Sequence, residues 1–263
     1  MNVFIVTDLE GASGVGRAEQ VTEEGTPDHL YSKRRLTADL NAAIAGCFDG
    51  GADKIWVSDG HGSGGLVWDE VDKRANLPIE RSKRHESVYN GEIDLFMLVG
   101  AHAMAGTLNG FLDHTQNAYQ WYNYYVNGRK IGEIGQIALF AGAYDIPFCM
   151  AAGDEAACVE AKALLGNIET AVVKYGIGRN QAKLEPLELA EQRIHDAAEA
   201  AMKRASAGEF KPYKPVMPLE IILELYRSDF CDKKAKKDHV ERFDARTLRK
   251  VLTKIECFAD LML

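Results

Sequence analysis

The chain opens with a short apolar run, then a helical stretch, then a second apolar run, and this order restricts its fold more than any other feature. Val3 to Thr7 is β-branched and apolar, long enough for one buried strand. Leu36, Leu40, Ala43, Ile44, Cys47 and Phe48 then recur at helical spacing and end at Gly50-Gly51, a stop signal. Lys54 to Ser58 (KIWVS) is a second strand, which makes a β-α-β unit, and Leu95 to Gly100 (LFMLVG) is a third. Later segments keep the alternation. A strand is expected over Tyr119–Asn127, a helix over Ile131–Tyr144, and a strand over Phe148–Ala152. Gly153-Asp154 caps the helix that follows, and a strand is expected over Thr170–Tyr175. The expected fold is α/β, a mostly parallel sheet flanked by helices, with a smaller C-terminal α+β lobe. We divide the chain into a catalytic domain at residues 1–182 and a lobe at 183–263. That lobe should hold a helix over Leu187–Ala205, a strand within Pro215–Tyr226 and a final amphipathic helix over Ala245–Leu263.

Composition narrows the function. The 31 basic and 39 acidic residues leave a net charge of -8 with no basic face, a poor match for a phosphate backbone, so nucleic acid is not an expected partner. The one basic run, Lys233 to Lys237, reads as a solvated turn. No segment approaches the roughly 18 uninterrupted apolar residues of a membrane span. The N-terminal apolar stretch is too short for a secretory signal. A cytoplasmic protein is the expectation. Cys47, Cys149, Cys158, Cys231 and Cys257 show no zinc-knuckle or redox spacing and read as free thiols.

Four polar clusters fall at or near strand ends, where open α/β sheets gather ligands. Asp8 and Glu10 follow the first strand two residues apart, so an extended backbone puts both carboxylates on one side. His61 follows the second strand between glycines, with Asp59 placed to orient an imidazole. His102 follows the third strand, with His114 twelve residues on, and Glu133 opens a glycine-bearing helix. Singly, the Asp8/Glu10 and His61 clusters read equally well as solvated turns, and the bland reading is favoured for His102 and His114 as satisfied or solvated histidines and for Glu133 as a helix-start acid. Together, parallel strands would bring their ends to one edge as three carboxylates and two imidazoles. That oxygen- and nitrogen-rich set suits zinc or manganese. Five ligands exceed what one catalytic zinc needs, and a shared carboxylate between two ions fits the count better. His29, His85, His195 and His239 lie in charged or helical surroundings and read as solvated surface residues.

The motifs DLEG, SDGHG, GAHA, LDHT and GEIG, in this order over residues 1 to 175, resemble those of the zinc D-aminopeptidases of the dipeptide-transport type. The resemblance implies two zinc ions per subunit bridged by Asp8. Glu10 and His61 would complete one ion, and His102 and Glu133 the other. His114 would be the catalytic histidine beside them. It also implies a short-peptide substrate with an N-terminal D-residue such as D-alanine, and a homo-oligomer, a ring-shaped decamer. The expected reaction is attack of a metal-activated water on the first peptide carbonyl, with His114 as acid/base, stabiliser or nucleophile. From Ala182 onward the chain departs from the family pattern. The alternatives are another two-metal amidohydrolase, a two-metal phosphoesterase, against which the motifs offer few arginines or lysines to clamp the extra charge, and a non-catalytic metal-dependent binding protein.

Overall fold

The computed structural model describes every residue except Ile79, Lys237 and Asp238, so the last lysine of the basic run lies outside the described residues. Among the described residues, eleven strands occur in chain order: β1 Asn2–Thr7, β2 Lys54–Asp59, β3 Leu95–Ala101, β4 Trp121–Val126, β5 Arg129–Lys130, β6 Phe148–Asp154, β7 Glu169–Gly178, β8 Gln181–Leu184, β9 Leu219–Leu225, β10 Glu241–Arg242 and β11 Thr247–Leu252. The α-helices are α1 Glu19–Thr22, α2 Pro27–Asp49, α3 Glu86–Tyr89, α4 Glu133–Ala143, α5 Glu155–Leu165, α6 Leu187–Ser206 and α7 Ser228–Lys234.

The first sheet has the order β2-β1-β3-β6-β7-β8. It is parallel throughout except at its β8 edge, which runs antiparallel to β7. Its central strands are buried on both faces, which is why they read as unbroken apolar runs rather than alternating ones. In β1, Val3 and Ile5 face a core shared with Leu36, Leu40 and Ile44 of α2 and with Ile194 and Ala198 of α6. Phe4 and Val6 face the other way, onto Ile134, Ala138 and Phe140 of α4. Behind α4 lies the second sheet, antiparallel, in the order β10-β11-β9-β4-β5. Leu219, Ile221, Leu223 and Leu225 of β9 alternate inward in strict period two and reach the same core as α4. Between two sheets, α4 is buried nearly all round, so it is apolar on every side.

The fold is the expected α/β arrangement, mostly parallel with flanking helices. The tail differs in one respect. No helix spans Ala245–Leu263; the segment is β11 followed by a 3-10 turn at Phe258–Leu261. Its apolar spacing suits a helix, but β11 pairs along its whole length with β9 from Thr247↔Glu224 to Leu252↔Leu219, and this pairing overrides local propensity. Elements also cross residue 182. β4 and β5 join the second sheet, while α6 packs on α2 and β7 of the first. No helix of the described residues is long and apolar enough to cross a membrane.

Candidate metal centre

The carboxyl ends of β2, β1 and β3 lie side by side because the three strands are parallel and in register, Val6↔Ser58 and Val6↔Leu98. The chain leaving β1 must then pass extremely close to the end of β3. A Cβ on Gly100, at φ +84, would sit 1.8 Å from the Asp8 carbonyl oxygen, and one on Gly11 would sit 2.1 Å from the Ala101 oxygen. Only glycine permits that approach. The loop after β1 is also tied from beneath. The Lys174 ammonium of β7, fully buried, donates to the carbonyls of Glu10, Ala12 (2.9 Å) and Val15 (2.8 Å). Burial drives its pKa down to about 7 against the pull of Asp154, Asp39 and Glu10. The sequence carries a signal for it, a lone lysine inside the buried run AVVKYG.

All six predicted site residues converge. His61 Nδ1 lies 3.2 Å from Asp8 Oδ1 and 3.2 Å from Glu10 Oε2. His102 Nε2 lies 3.2 Å from Asp8 Oδ2 and 3.3 Å from Glu133 Oε1. The two oxygens of Asp8 therefore face different partners. His114 stacks on His102 with ring centroids 4.0 Å apart, and its Nε2 is 3.7 Å from Glu133 Oε1 and 4.0 Å from Glu10 Oε1. His102 Nδ1 faces the Ala103 carbonyl at 3.0 Å and His114 Nδ1 faces that of Leu112 at 2.7 Å. Each Nδ1 thus donates to a carbonyl, which leaves Nε2 as the ring atom facing the cluster.

These separations suit ligands around a shared cation better than mutual hydrogen bonds. Two donors at about 2.0–2.1 Å from one tetrahedral metal lie roughly 3.3 Å apart. Consistent with that, Glu10 Oε2 and His102 Nε2 are buried without a hydrogen-bond partner among the described residues. Protonation tells the same story. Burial and the charge of Glu10 raise the Asp8 pKa. Burial opposes charge on His61, yet Glu10 and Asp8 carry its pKa up to about 11. Burial likewise opposes charge on His102, and Asp8 and Glu133 hold its pKa well above the usual value. Burial would raise Glu10 and Glu133, but the neighbouring imidazoles, chiefly His61 and His102 respectively, take both down. The cluster is a cation sink, and without metal it gathers protons.

Several supporting residues differ from their expected roles. Asp59 does not touch an imidazole. Its carboxylate accepts from the backbone N–H of His61 (3.2 Å), Gly65 (2.8 Å) and Leu66 (3.3 Å), so it shapes the loop that presents His61. His29 is buried rather than solvated, and His195 pairs with Asp49 at 2.9 Å. His239 is exposed as expected. His85 is the larger correction. It packs among Phe4, Phe140, Phe258 and Tyr89, and burial followed by the charge of Arg84 lowers its pKa to about 4. Nothing in its sequence neighbourhood marks it, because the packing comes from distant elements. The five cysteines are free, and none is a candidate ligand.

His114 rides on a constrained loop. Asn109, Leu112 and Gln116 all have φ between 49 and 60, unusual for non-glycine residues. The loop is held by Phe111 N–H to Asp154 (2.9 Å), Leu112 N–H to the Arg179 carbonyl (2.7 Å) and Gln116 N–H to Glu133 (2.7 Å). Asp154 also caps α5 by accepting from Ala157 N–H at 2.9 Å. Beside the cluster opens a cavity of about 80 Å³, walled by Asp8, His102 and Glu133 on one side and by Phe96, Leu98, Ile134, Ile137, Phe140 and Phe258 on the other. Arg84, His85, Gln116 and Phe258 line both this cavity and a wider outer groove of about 560 Å³. Two arginines, Arg81 and Arg84, thus stand at the mouth, although the motifs themselves have none.

A family model described as D-aminopeptidase matches residues 1–262. A D-aminopeptidase of Bacillus subtilis (strain 168) is 30% identical over 226 residues, 84% of this chain and 81% of its own. Among solved structures, the Zn-dependent D-aminopeptidase DppA from Bacillus subtilis, described as a self-compartmentalizing protease, superposes with a TM-score of 0.90 at 24% identity, covering 100% of this chain and 95% of that one. On its fold, its clustered motifs and a family match over nearly its whole length, the chain belongs to the D-aminopeptidase family.

Proposed function

We propose that the protein is a two-zinc aminopeptidase that removes an N-terminal D-residue, D-alanine in the first instance, from short peptides or amides. The observation that carries the two-ion reading is the split of Asp8, with Oδ1 turned to His61 and Oδ2 to His102. Asp8, Glu10 and His61 would hold one ion, and Asp8, His102 and Glu133 the other. Held there, such a pair would supply Lewis acidity to activate water near neutral pH and polarise a carbonyl. His114 Nε2, kept free by the Nδ1 bond to Leu112, takes a proton as water adds to the carbonyl and hands it to the amine as the C–N bond breaks. The His102 ring beneath fixes the plane in which it does so. The apolar side of the cavity seats the N-terminal side chain, and a volume of about 80 Å³ favours a small one. Residues 183–263 add Phe258 to this wall and would contribute contacts between copies. The zinc identity and a closed oligomer, a decamer in our reading, are supported by the likeness to a Zn-dependent, self-compartmentalizing relative. A cytoplasmic location completes the reading.

Metal content per chain, measured with initial rates on D-alanyl and L-alanyl peptides, tests this. Two equivalents of zinc and a preference for the D-peptide are expected. His114→Ala should keep the metal and lose turnover by about 10²–10⁴-fold, whereas Asp8→Ala should lose metal as well. Wild-type rates in His114→Ala would remove that residue from the mechanism, and a single equivalent of metal would remove the bridge.

A further inference from the structure

Among the described residues lining the outer groove there are two arginines and no aspartate or glutamate, in a chain whose net charge is -8. Neither guanidinium has a carboxylate within ion-pair distance among the described residues, although most other arginines here do. Arg84 is half-buried and donates through Nη1 to the Asp59 carbonyl at 3.3 Å. Arg81 donates through Nη2 to the His61 carbonyl at 3.0 Å. These bonds fix the two side chains against the loop that presents His61 without neutralising them. Asp8 and Glu133 line only the inner cavity, Arg81 only the outer groove and Arg84 both, so the joined space grades from carboxylate charge inside to guanidinium charge at the mouth.

A short peptide with both termini free has the complementary pattern, an ammonium or amine at one end and a carboxylate at the other. Resting on the aminopeptidase reading, we propose that Arg84, assisted by Arg81, receives the C-terminal carboxylate of the substrate and is the residue that discriminates a free C-terminus from a blocked one. The planar guanidinium pairs with a carboxylate through two parallel N–H···O bonds, and Nε and Nη2 of Arg84 are not taken up by the Asp59 contact. The groove's polarity also sets direction. The amine goes toward the acidic cluster and the carboxylate away from it, so the first peptide bond lies at the reacting centre.

The test compares kcat/KM of the metal-loaded enzyme for D-alanyl-D-alanine and for its C-terminal amide, which lacks only the charge. The wild type should favour the free acid by about 10- to 100-fold, mainly through KM. In Arg84→Gln this ratio should fall close to one. Arg84→Lys should keep part of it, and Arg81→Gln should reduce it less than Arg84→Gln does. A wild-type ratio near one, or an undiminished ratio in Arg84→Gln, overturns the assignment of Arg84 while leaving the aminopeptidase reading intact. Failure of the zinc-loaded wild type to cleave either compound would instead sink that reading. The wild-type ratio needs no variant, so a poorly folding substitution does not blunt the test.

Discussion

At the scale of single residues, the site is governed by what burial does to each ionisable group. The candidate ligands attract one another's protons, whereas His85 is pushed the opposite way because its ring sits among aromatic side chains beside Arg84. Its folded pKa of about 4 lies below the unfolded value of 6.5. Between those limits the unfolded chain holds a proton that the folded chain does not. The contribution of His85 is therefore fully present above pH 6.5 and is lost as pH falls toward 4, with a total of about 3 kcal/mol. His85→Phe keeps the ring packing and removes the titration. In chelator-treated protein, urea unfolding at a series of pH values should show the variant losing less stability than the wild type over that interval. Parallel losses would mean that the ring is protonated in the fold.

At the scale of elements, the site depends on how closely β1 and β3 release their chains. Gly100→Ala would drive a methyl group into the Asp8 carbonyl at a positive φ, and neither strand can retreat without breaking the parallel ladder. A loss above about 4 kcal/mol and failure to retain metal are expected, read by thermal unfolding and metal analysis. Gly208→Ala, also at positive φ (+72) but with open space around it, should cost only about 1 kcal/mol. If both variants behaved alike, close approach would not be what fixes Gly100. The same elements account for what could be read in advance. β1, β2 and β3 were legible as continuous apolar runs, and strand ends in a parallel sheet have a known address, so Asp8, His61 and His102 could be placed together. Glu133 was legible as the opening acid of α4. Arg84 and His85 were not, since they reach the mouth on a loop whose position is set by packing against Phe4, Phe140 and Phe258. The helical spacing after Ala245 misled for a related reason, because the partner strand β9 lies more than twenty residues earlier.

At the scale of the whole molecule, the two sheets clamp α4 between them, and that helix carries Glu133 together with Ile134, Ile137 and Phe140 of the cavity wall. One candidate ligand and part of the apolar cavity wall thus share a single buried element and should keep their relative geometry through surface changes. The chain also exposes large apolar side chains, among them Leu108, Tyr119, Val216 and Phe243. In the proposed closed assembly some of these would be covered. Light scattering behind size-exclusion chromatography should then give a particle about ten times the 29.0 kDa chain, and a monomeric mass would rule the assembly out.

The narrowing from a broad groove to a small, apolar recess has a consequence for which bonds are open to hydrolysis. A polypeptide threading inward meets Ile137 and Phe140 of α4, which line the recess. The middle of a strand cannot turn around in so little room, but a tip can enter. Selection for chain ends would then be steric before it is chemical, and intact folded proteins would be spared.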